Sequence, residues 1–412
     1  MHKIAEKKWS EKIFKAYDIR GLYPAEINED ACYKIARAFA RYLRLGSAGG
    51  RLLKIIVSSD ARSSSPTLKE AFVDGLTDEG VEIIDAGLTT TPMHYFAVNI
   101  LKADGGAMIT ASHLPMEFNG LKLSKKGAMP IGEGGGMEEI RGDAMRGIFA
   151  SAARTEEAEK NSTPSIIKKD FLSEYIEFLT SNFPNLKSEI TKLISGKKIP
   201  GISFDTDEDR VMFKDEKGNA VPGDIITALL AQKYAKQGEK TIYDVRSSRA
   251  VKETIEANGA QAVESRVGHA FIKPLMRKEN AIFGGELSGH YYFRDFFFCD
   301  SGIFGALAVL DLMRGETKTL SELIKPLLRY AKSEEINFKV QNKDKALDKI
   351  AAHFADGKAS YLDGLKVEYP HWWFNLRISN TENLVRLNIE AVLPELLDEK
   401  KKLIEELLET QL

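Results

Sequence analysis

Three aspartates stand at alternate positions in the segment DTDEDR, directly after the apolar run GISF. Alternate side chains of an extended segment share one face, so Asp205, Asp207 and Asp209 are expected to converge. Converging carboxylates repel one another without a cation, and an all-oxygen set suits a hard ion such as Mg²⁺. The apolar lead-in argues against a merely solvated acidic turn. A phosphatase that uses Asp205 as its nucleophile is a second functional interpretation.

A serine follows another apolar segment, in AMITASHLP. Phosphoryl transfer depends more on positioning and charge neutralisation than on a strong nucleophile. Ser112, with His113 beside it, could therefore carry a phosphoryl group near a divalent cation. Lys122, in FNGLKL, is a candidate general acid/base or phosphate contact. Ser-His pairs and isolated lysines are also common on exposed loops, and that alternative stays open for the motif taken alone.

The segment GGELSGH follows the apolar residues AIF. It supplies a carboxylate, a hydroxyl and an imidazole at alternate positions, from Glu286, Ser288 and His290. Such a set suits vicinal sugar hydroxyls, which both donate and accept hydrogen bonds. The glycines let the backbone approach a ligand closely. A glycine-rich turn with a satisfied histidine is the structural alternative.

Arginine, hydroxyl and amide side chains occur together in RISNTENLVR, after a predicted strand. A guanidinium among hydroxyls, an amide and backbone N–H groups makes a phosphate cradle. The candidate residues are Arg377, Ser379, Asn380, Thr381 and Arg386. An Asn-Thr turn with an incidental arginine is the alternative.

The overall composition limits the class of protein. The chain has 412 residues, 43% of them hydrophobic and 29% charged, and a net charge of -2. This balance indicates a globular protein of several domains and gives no basic field for nucleic acid or membrane binding. Only two cysteines, Cys32 and Cys299, are present. We therefore expect no disulfide framework and a cytoplasmic location.

Strand and helix signals alternate in the N-terminal part. A helix is predicted after Asn28, which can cap it, and Leu52–Val57 reads as a buried strand. Pro66 opens a second helix and Gly80 closes it. The segments VEIIDAG and GGAMIT follow as strands. This spacing predicts βαβ units and a mainly parallel sheet.

The pattern changes twice further along the chain. Residues 154–165 are charged and then rich in Ser, Thr and Pro, which is typical of a linker. Two helices, a hairpin with its turn at Lys217-Gly218 and a further βα unit from Thr241 are predicted to follow. From about Lys332, short strands between helices indicate a small α+β domain.

Three of the polar segments, containing Ser112, Asp205 and Glu286, follow apolar strands. Ligands of α/β sheets bind beyond the carboxyl ends of strands, so three related α/β domains are predicted. The small α+β domain is the fourth. The predicted boundaries are 1–153, 154–216, 217–330 and 331–412.

Taken together, these motifs resemble those of the α-D-phosphohexomutases, close to the phosphomannomutase/phosphoglucomutase group. FKAYDIRG resembles the N-terminal motif of that group. TASHLP is similar to its phosphoserine loop, DTDEDR to its metal loop, GGELSGH to its sugar-recognition loop and RISNTE to its phosphate-binding loop. The order of the motifs is that of the family, from about Phe14 to Ala391.

The resemblance implies a heart-shaped molecule of four domains, with one loop of each lining a central cleft. Ser112 would be phosphorylated and would hold one Mg²⁺ together with the three aspartates. The GGELSGH residues would read the sugar, and the RISNTE residues would bind the phosphate that is not transferred. Further positions that match the cleft of the family are Tyr17, Arg20, Lys122, Arg210 and His269.

The implied reaction interconverts hexose 1-phosphate and hexose 6-phosphate of mannose or glucose. Phosphoserine would give its phosphoryl group to the free hydroxyl, and a hexose 1,6-bisphosphate would form. The bisphosphate would turn end over end and return its other phosphoryl group to Ser112, and added bisphosphate would act as activator. The implied partner is a small sugar phosphate, without nucleic acid or membrane, and the protein would be a monomer or a dimer.

The sequence departs from the family pattern in three places. Leu114 stands where the serine loop usually has Asn, and Thr206 and Glu208 stand where the metal loop usually has glycines. Asp205 follows Ser112 by only 93 residues. Compared with the family, about 40 residues of a second domain of about 100 are therefore expected to be absent, including a strand-turn-helix unit. The resemblance thus implies that the second of the three α/β domains is reduced and has a smaller sheet.

Two alternatives follow from these departures and from one further residue. The first is a catalytically weakened sugar-phosphate-binding homologue. The second is a phosphoglucosamine mutase, although Leu287, between Glu286 and Ser288, is more typical of the glucose and mannose group.

Overall fold

The computed structural model describes residues 8–46, 52–147, 165–378 and 384–409. Two compact units make up the chain: Met1–Val211 with Tyr292–Asp311, and Met212–Tyr291 with Leu312–Leu412. The predicted linker lies outside the described residues, apart from Ser165. Within the described parts, no helix is both long and apolar enough to cross a membrane.

Thirteen α-helices are described. Their bounds are α1 Glu29–Leu45, α2 Ser65–Asp78, α3 Thr91–Ile100, α4 Met137–Arg146, α5 Leu172–Asn182, α6 Lys187–Ile194, α7 Gly223–Tyr234, α8 Arg249–Ala257, α9 His269–Lys278, α10 Gly302–Glu316, α11 Leu320–Ile324, α12 Lys343–His353 and α13 Pro394–Glu409.

The strands within the same described ranges are short. Their bounds are β1 Ile19–Leu22, β2 Lys54–Ser59, β3 Glu82–Leu88, β4 Gly105–Ile109, β5 Phe118–Lys125, β6 Met129–Pro130, β7 Ile166–Lys168, β8 Ile202–Phe204, β9 Val211–Lys214, β10 Ala220–Val221, β11 Lys240–Asp244, β12 Gln261–Ser265, β13 Phe283–Gly285, β14 Tyr291–Phe293, β15 Cys299–Asp300, β16 Ala331–Lys332, β17 Ile336–Lys339, β18 Lys358–Ser360, β19 Leu365–Glu368, β20 Trp372–Ile378 and β21 Leu384–Ala391.

The main sheet of the first unit has the order β1-β5-β4-β2-β3-β7, with β6 paired to β5. Strand β2 is parallel to both β3 and β4, so the predicted βαβ units are confirmed. Strand β5 is antiparallel to β4. This arrangement brings the carboxyl ends of β2 and β4 to one edge of the sheet, where the Ser112 loop begins.

Local signals account for the first helices. Asn28 has an extended backbone and its side chain accepts a hydrogen bond from Ala31 N, which makes it the N-cap predicted for α1. The buried face of α1 includes Ile35 and Phe39, and it packs in one apolar core with Phe72 of α2. Pro66 lies in the first turn of α2, as predicted.

The segment after the predicted linker forms little sheet of its own. Strand β7 pairs in parallel with β3 of the main sheet, as an added edge strand. Helices α5 and α6 follow, and both were predicted. Phe178 of α5 stacks on Phe297 at a ring-centroid distance of 5.5 Å and also meets Phe96 of α3 at 5.3 Å. Aromatic contacts of this kind, rather than strand pairing, fasten α5 to the rest of the first unit.

The second unit contains the predicted hairpin and two sheets. Strands β9 and β10 pair antiparallel, and Gly218 has the positive φ that the turn requires. Strand β11 lies between β12 and β13 and is parallel to both. The C-terminal sheet has the order β16-β21-β20-β19-β18, with β17 also paired to β21. Helices α12 and α13 cover a core that includes Phe374 and Leu387.

Candidate functional site

Residues 110–117, here called the Ser112 loop, connect β4 to β5. The loop leaves the carboxyl end of β4 in a strained conformation. Ser112 has a φ of 54°, in the left-handed region that residues other than glycine rarely adopt. Its N–H donates to Thr110 Oγ1 at 2.9 Å. The residue is 1% exposed. An over-determined loop therefore fixes the direction of the serine hydroxyl.

The aspartate loop lies beside this serine, as the sequence predicted. Ser112 Oγ donates to Asp205 Oδ2 at 3.3 Å. Carboxylate oxygens of Asp205, Asp207 and Asp209 all lie within 4.8 Å of one another. Asp207 is fixed by Thr91 at the start of α3, whose Oγ1 donates to Asp207 Oδ2 at 2.6 Å. The predicted convergence of three carboxylates therefore occurs within one unit. The segment is a turn, in which Glu208 N donates to Asp205 O at 3.3 Å, and not the extended segment that was expected.

Lys122, on the neighbouring strand β5, lies against these carboxylates. Its Nζ is 2.7 Å from Asp207 Oδ2 and also contacts Asp209. Burial alone would lower the pKa of Lys122, but the two carboxylates outweigh it and the pKa is raised. The pair of carboxylates thus favours the ammonium form, which can bind phosphate or donate a proton.

Other cations surround the serine. Arg20 Nε donates to Asp18 Oδ2 at 2.7 Å, and Arg210 Nε lies 3.7 Å from Asp205 Oδ2. His113 Nδ1 is 3.4 Å from Ser112 Oγ. Partial burial of the ring, followed by the charges of Arg210 and Arg20, lowers the pKa of His113. Because the residue as a whole is exposed, solvent screening reduces this shift.

The aspartate set has the chemistry of a divalent cation site. All of its donors are oxygens, and Asp207 Oδ1 is buried with no hydrogen-bond partner among the described residues. Oxygen ligands in this number suit Mg²⁺. The loop is backed by Gly302, whose N–H donates to Glu208 O at 3.0 Å. A Cβ on Gly302 would lie 2.6 Å from Arg210 O, so the close approach requires glycine.

Glu208 has a backbone conformation that favours glycine. Its φ is 61°, again in the left-handed region. This conformation costs about 1–2 kcal/mol for a residue with a Cβ. The neighbouring Thr206 does not have a positive φ. The two departures noted in the sequence are therefore unequal, and only Glu208 strains the backbone.

Residues of the second unit form a separate polar cluster around Glu286. Glu286 is 1% exposed, and its Oε2 accepts a hydrogen bond from Gly268 N at 3.0 Å. His269 follows directly as the first residue of α9. The Glu286 N–H donates to His290 O at 2.9 Å, and this hydrogen bond closes the turn that was predicted to bind the sugar. Ser288 Oγ is buried without a hydrogen-bond partner in the described part of the chain.

An arginine cluster converges on Glu335 in the same unit. Arg377 Nη2 donates to Glu335 Oε2 at 2.8 Å, and Arg386 Nη1 donates to Glu335 Oε1 at 3.3 Å. Arg246 Nη1 lies 3.9 Å from Glu335 Oε2. Burial raises the pKa of Glu335, but the guanidinium groups outweigh it and the pKa is lowered. Guanidinium groups bind phosphate through paired, charge-assisted hydrogen bonds, so a cluster of three arginines is suited to a phosphate group.

The sequence-predicted site residues therefore fall into three groups. In the first unit, Ser112, His113, Lys122, Arg20, Arg210 and the three aspartates lie near one another, and Tyr17 is half-buried close to Arg20 in sequence. In the second unit lie His269, Glu286, Ser288, His290, Arg377 and Arg386. Ser379, Asn380 and Thr381 lie outside the described residues.

Three charged residues of these sites were not predicted from sequence. Arg246 pairs with Asp244 at 2.9 Å and lies 3.8 Å from Glu286 Oε2. Its position directly after the strand TIYDV was an available signal, because ligands gather beyond strand ends. Glu335 gave no comparable signal. Arg62, in the polar loop after β2, contacts the backbone of the Ser112 loop.

An α/β fold with a serine hydroxyl beside convergent carboxylates, and with a separate arginine cluster, defines a phosphate-handling protein. The family models "Phosphoglucomutase/phosphomannomutase, alpha/beta/alpha domain I", "alpha/beta/alpha domain III" and "C-terminal domain" match residues 11–146, 222–330 and 335–407. The chain belongs to the phosphoglucomutase/phosphomannomutase family. This confirms the family resemblance and the α/β fold class.

Curated relatives match over most of their length. A phosphomannomutase of Escherichia coli is 36% identical, and the match covers 92% of this chain and 94% of the relative. A protein named "Phosphohexose mutases" from Xanthomonas campestris is also 36% identical, covering 92% of this chain and 94% of the relative. A phosphomannomutase of Methanocaldococcus jannaschii is 34% identical, covering 96% of this chain and 98% of the relative.

Solved structures agree in fold. A phosphoglucomutase/phosphomannomutase family protein from Burkholderia thailandensis superimposes with a TM-score of 0.85 at 24% identity, covering 98% of both chains. A phosphomannomutase structure from Thermus thermophilus gives 0.74 at 22% identity, covering 95% of this chain and 98% of the other. At these identities the similarity establishes the fold alone.

Proposed function

We propose that this chain is an active phosphohexomutase that interconverts hexose 1-phosphate and hexose 6-phosphate, with mannose and glucose phosphates as substrates. The observation that carries the proposal is the buried Ser112 hydroxyl, 3.3 Å from Asp205 within a set of three convergent carboxylates. The names of the curated relatives support the same activity.

Transfer of the phosphoryl group needs only the phosphoserine and the hexose phosphate. The bond between phosphorus and Ser112 Oγ breaks as a hexose hydroxyl oxygen forms a new bond to phosphorus. The hydroxyl proton ends on Ser112 Oγ, so free serine and a hexose 1,6-bisphosphate result. Return of the other phosphoryl group to Ser112 reverses the same bond changes and releases the isomeric monophosphate.

The residues of the first unit neutralise and position the phosphoryl group. Lys122, Arg20 and Arg210 supply positive charge around Ser112, and such charge is worth most where water is excluded. Lys122 is the candidate general acid/base: it would protonate the departing serine oxygen and take up the proton of the hexose hydroxyl, and the return step would reverse both transfers. His113 is a neutral contact. Asp205, Asp207, Asp209 and Ser112 would hold one Mg²⁺, which when bound supplies further charge neutralisation and orientation.

The residues of the second unit supply recognition. Glu286, Ser288 and His290 suit sugar hydroxyls, with His269 beside them, and Ser288 Oγ has an open hydrogen-bonding valence among the described residues. Arg377 and Arg386 suit the phosphate that is not transferred. Tyr17, Ser379, Asn380 and Thr381 are proposed substrate contacts from the family motifs. A hexose 1,6-bisphosphate activator, a cytoplasmic location and a monomeric or dimeric state remain predictions.

One observation favours a second candidate, a weakened sugar-phosphate-binding homologue. The strained Glu208 adds a carboxylate and an unfavourable backbone conformation to the aspartate loop. In this alternative the protein would bind hexose phosphates and become phosphorylated slowly or not at all.

A coupled mutase assay separates the two candidates. Purified protein would be assayed on mannose 1-phosphate and glucose 1-phosphate with MgCl₂ and a trace of glucose 1,6-bisphosphate. Turnover on either sugar is expected, together with one phosphate per chain by intact-mass measurement. Ser112→Ala should lose both signals but keep its melting temperature. Folded protein that binds the sugar phosphates without turnover would contradict the mutase and leave the binding homologue.

A further inference from the structure

Arg62 packs against the Ser112 loop, and every N–H group of its guanidinium donates a hydrogen bond. It is 1% exposed. An arginine has five N–H donors in a rigid planar fork, and each of them has an acceptor. The acceptors are Asp60 Oδ2 at 3.0 Å for Nε, the carbonyls of Pro115 at 2.6 Å and Phe118 at 3.0 Å for Nη1, and the carbonyls of Ser112 at 2.5 Å and Leu114 at 2.7 Å for Nη2.

The arginine is itself held from the end of β2. Asp60 Oδ1 accepts hydrogen bonds from Arg62 N at 3.1 Å and from Ser65 Oγ at 2.6 Å. The Asp60 N–H donates to Ile109 O, the last residue of β4, at 3.0 Å. The guanidinium therefore has a fixed position relative to the two parallel strands from whose ends both loops emerge.

The Ser112 loop needs such a partner. Three of its carbonyls, of Ser112, Leu114 and Pro115, point to one place, together with the carbonyl of Phe118 at the start of β5. A buried carbonyl without a donor is costly. At the same loop, Ser112 has the strained φ of 54°. Strain of this kind persists only where the surroundings over-determine it. The carbonyl of Ser112 is one of the acceptors, so the contact acts directly on the residue that carries the strain.

We propose that Arg62 is a positioning residue for phosphoryl transfer: by binding the loop carbonyls, it imposes the backbone conformation that aims Ser112 Oγ at the aspartates. Arg62 acts through the backbone and touches neither the substrate nor the phosphoryl group. The proposal rests on the proposed mutase function for its kinetic test and on geometry alone for its structural test.

Lysine cannot replace this arginine, because an ammonium has three donors on one atom and cannot reach four carbonyls and a carboxylate in a plane. In Arg62→Lys we expect kcat to fall about 100-fold, since a displacement of about 1 Å at a reacting group can cost that much. KM for the sugar phosphate should change less than about threefold. The matched control is Arg37→Lys, which weakens another ion pair of the first unit, to Glu79, away from Ser112.

Chemical rescue tests whether the guanidinium itself is required. Arg62→Ala should recover at least about tenfold in kcat on addition of ethylguanidinium, whereas Arg37→Ala should not respond. A kcat of Arg62→Lys within twofold of wild type would overturn the proposal. So would an equal loss of kcat in Arg37→Lys at matched distance below the melting temperature, or a rise in KM at unchanged kcat.

Hydrogen exchange keeps the proposal testable if the protein has no mutase turnover, or if Arg62→Ala fails to fold. The peptide covering 110–118 should exchange at least about tenfold faster in Arg62→Lys than in wild type, while peptides of α1 stay unchanged. Unchanged exchange at 110–118 would overturn the positioning role, whatever the activity. Absent turnover in wild type with faster exchange in the variant would instead contradict only the proposed function.

Discussion

Lys122 Nζ lies 2.7 Å from Asp207 Oδ2, and the same ammonium contacts Asp209. The lysine is 5% exposed and both aspartates are 1% exposed. One buried cation thus balances part of a set of three carboxylates. The same carboxylates are the candidate Mg²⁺ ligands, so the ammonium and a divalent ion would act on one group of charges.

Replacing Lys122 should therefore link stability to divalent cations. In EDTA, Lys122→Met should lower the free energy of unfolding by about 3 kcal/mol, because breaking a buried ion pair leaves uncompensated charge. MgCl₂ should restore more stability in this variant than in wild type. Urea unfolding with and without Mg²⁺ measures both effects. The control is Lys125→Met. Lys125 lies on the same strand, but its Nζ donates to Tyr42 Oη and Gly135 O and not to a carboxylate. Equal responses of the two variants would contradict the prediction.

Glycine substitutions should distinguish the two unusual residues of the aspartate loop. Glu208 has a φ of 61°, so Glu208→Gly should raise stability in EDTA by about 1 kcal/mol through relief of that conformation. Thr206 does not have a positive φ, so Thr206→Gly should lower stability by about 0.5–1 kcal/mol. Thermal unfolding of the two variants in parallel measures the difference. A destabilised Glu208→Gly would show that the side chain contributes more than its backbone strain costs.

The arginine cluster of the second unit should respond to inorganic phosphate. Glu335→Gln removes the carboxylate from Arg377 and Arg386 and should cost about 2 kcal/mol of stability. Phosphate should then raise the melting temperature of this variant more than that of wild type, because the guanidinium groups have lost their internal counter-ion. Scanning calorimetry in chloride and in phosphate measures this. The exposed neighbour Glu334 provides the control Glu334→Gln, which should behave as wild type.

Glu390 should make the second unit less stable as the pH rises. It is 1% exposed, its Oε1 accepts from Trp373 Nε1 at 2.7 Å, and Oε2 has no partner within the described ranges. Burial raises the pKa of Glu390 above its ordinary value. The folded state therefore binds the proton more tightly than the unfolded state, and stability is lost as the pH rises through the ordinary range of a glutamate and above it.

The isosteric Glu390→Gln variant removes this dependence. Its stability relative to wild type should increase between pH 4 and pH 8, because glutamine has no proton to lose over that range. Urea unfolding at the two values of pH measures the difference. If the difference in stability between Glu390→Gln and wild type were the same at both values of pH, Glu390 would titrate alike in the folded and unfolded states, which would contradict the prediction.

Sequence alone determined the chemical parts and the type of fold. The serine at a strand end and the βαβ spacing are local patterns, because strand ends follow from short-range periodicity. The alternation of Asp205, Asp207 and Asp209 predicted that the carboxylates converge, but they converge through a turn and not through an extended segment. The N-cap of α1 at Asn28 and the turn at Gly218 are equally local. The order of four motifs along the chain was enough to indicate the family.

Tertiary structure decided which groups act on one another. Lys122 meets Asp207 across 85 residues of chain, and Arg62 meets the Ser112 carbonyl across 50. No local pattern encodes such pairs, because they depend on how β2, β4 and β5 are ordered within the sheet. The same applies to Glu335, whose isolated position in the sequence gave no sign of the arginines it would gather. The sequence thus supplied a serine and three aspartates, and the folded chain added the buried cations that hold them in place.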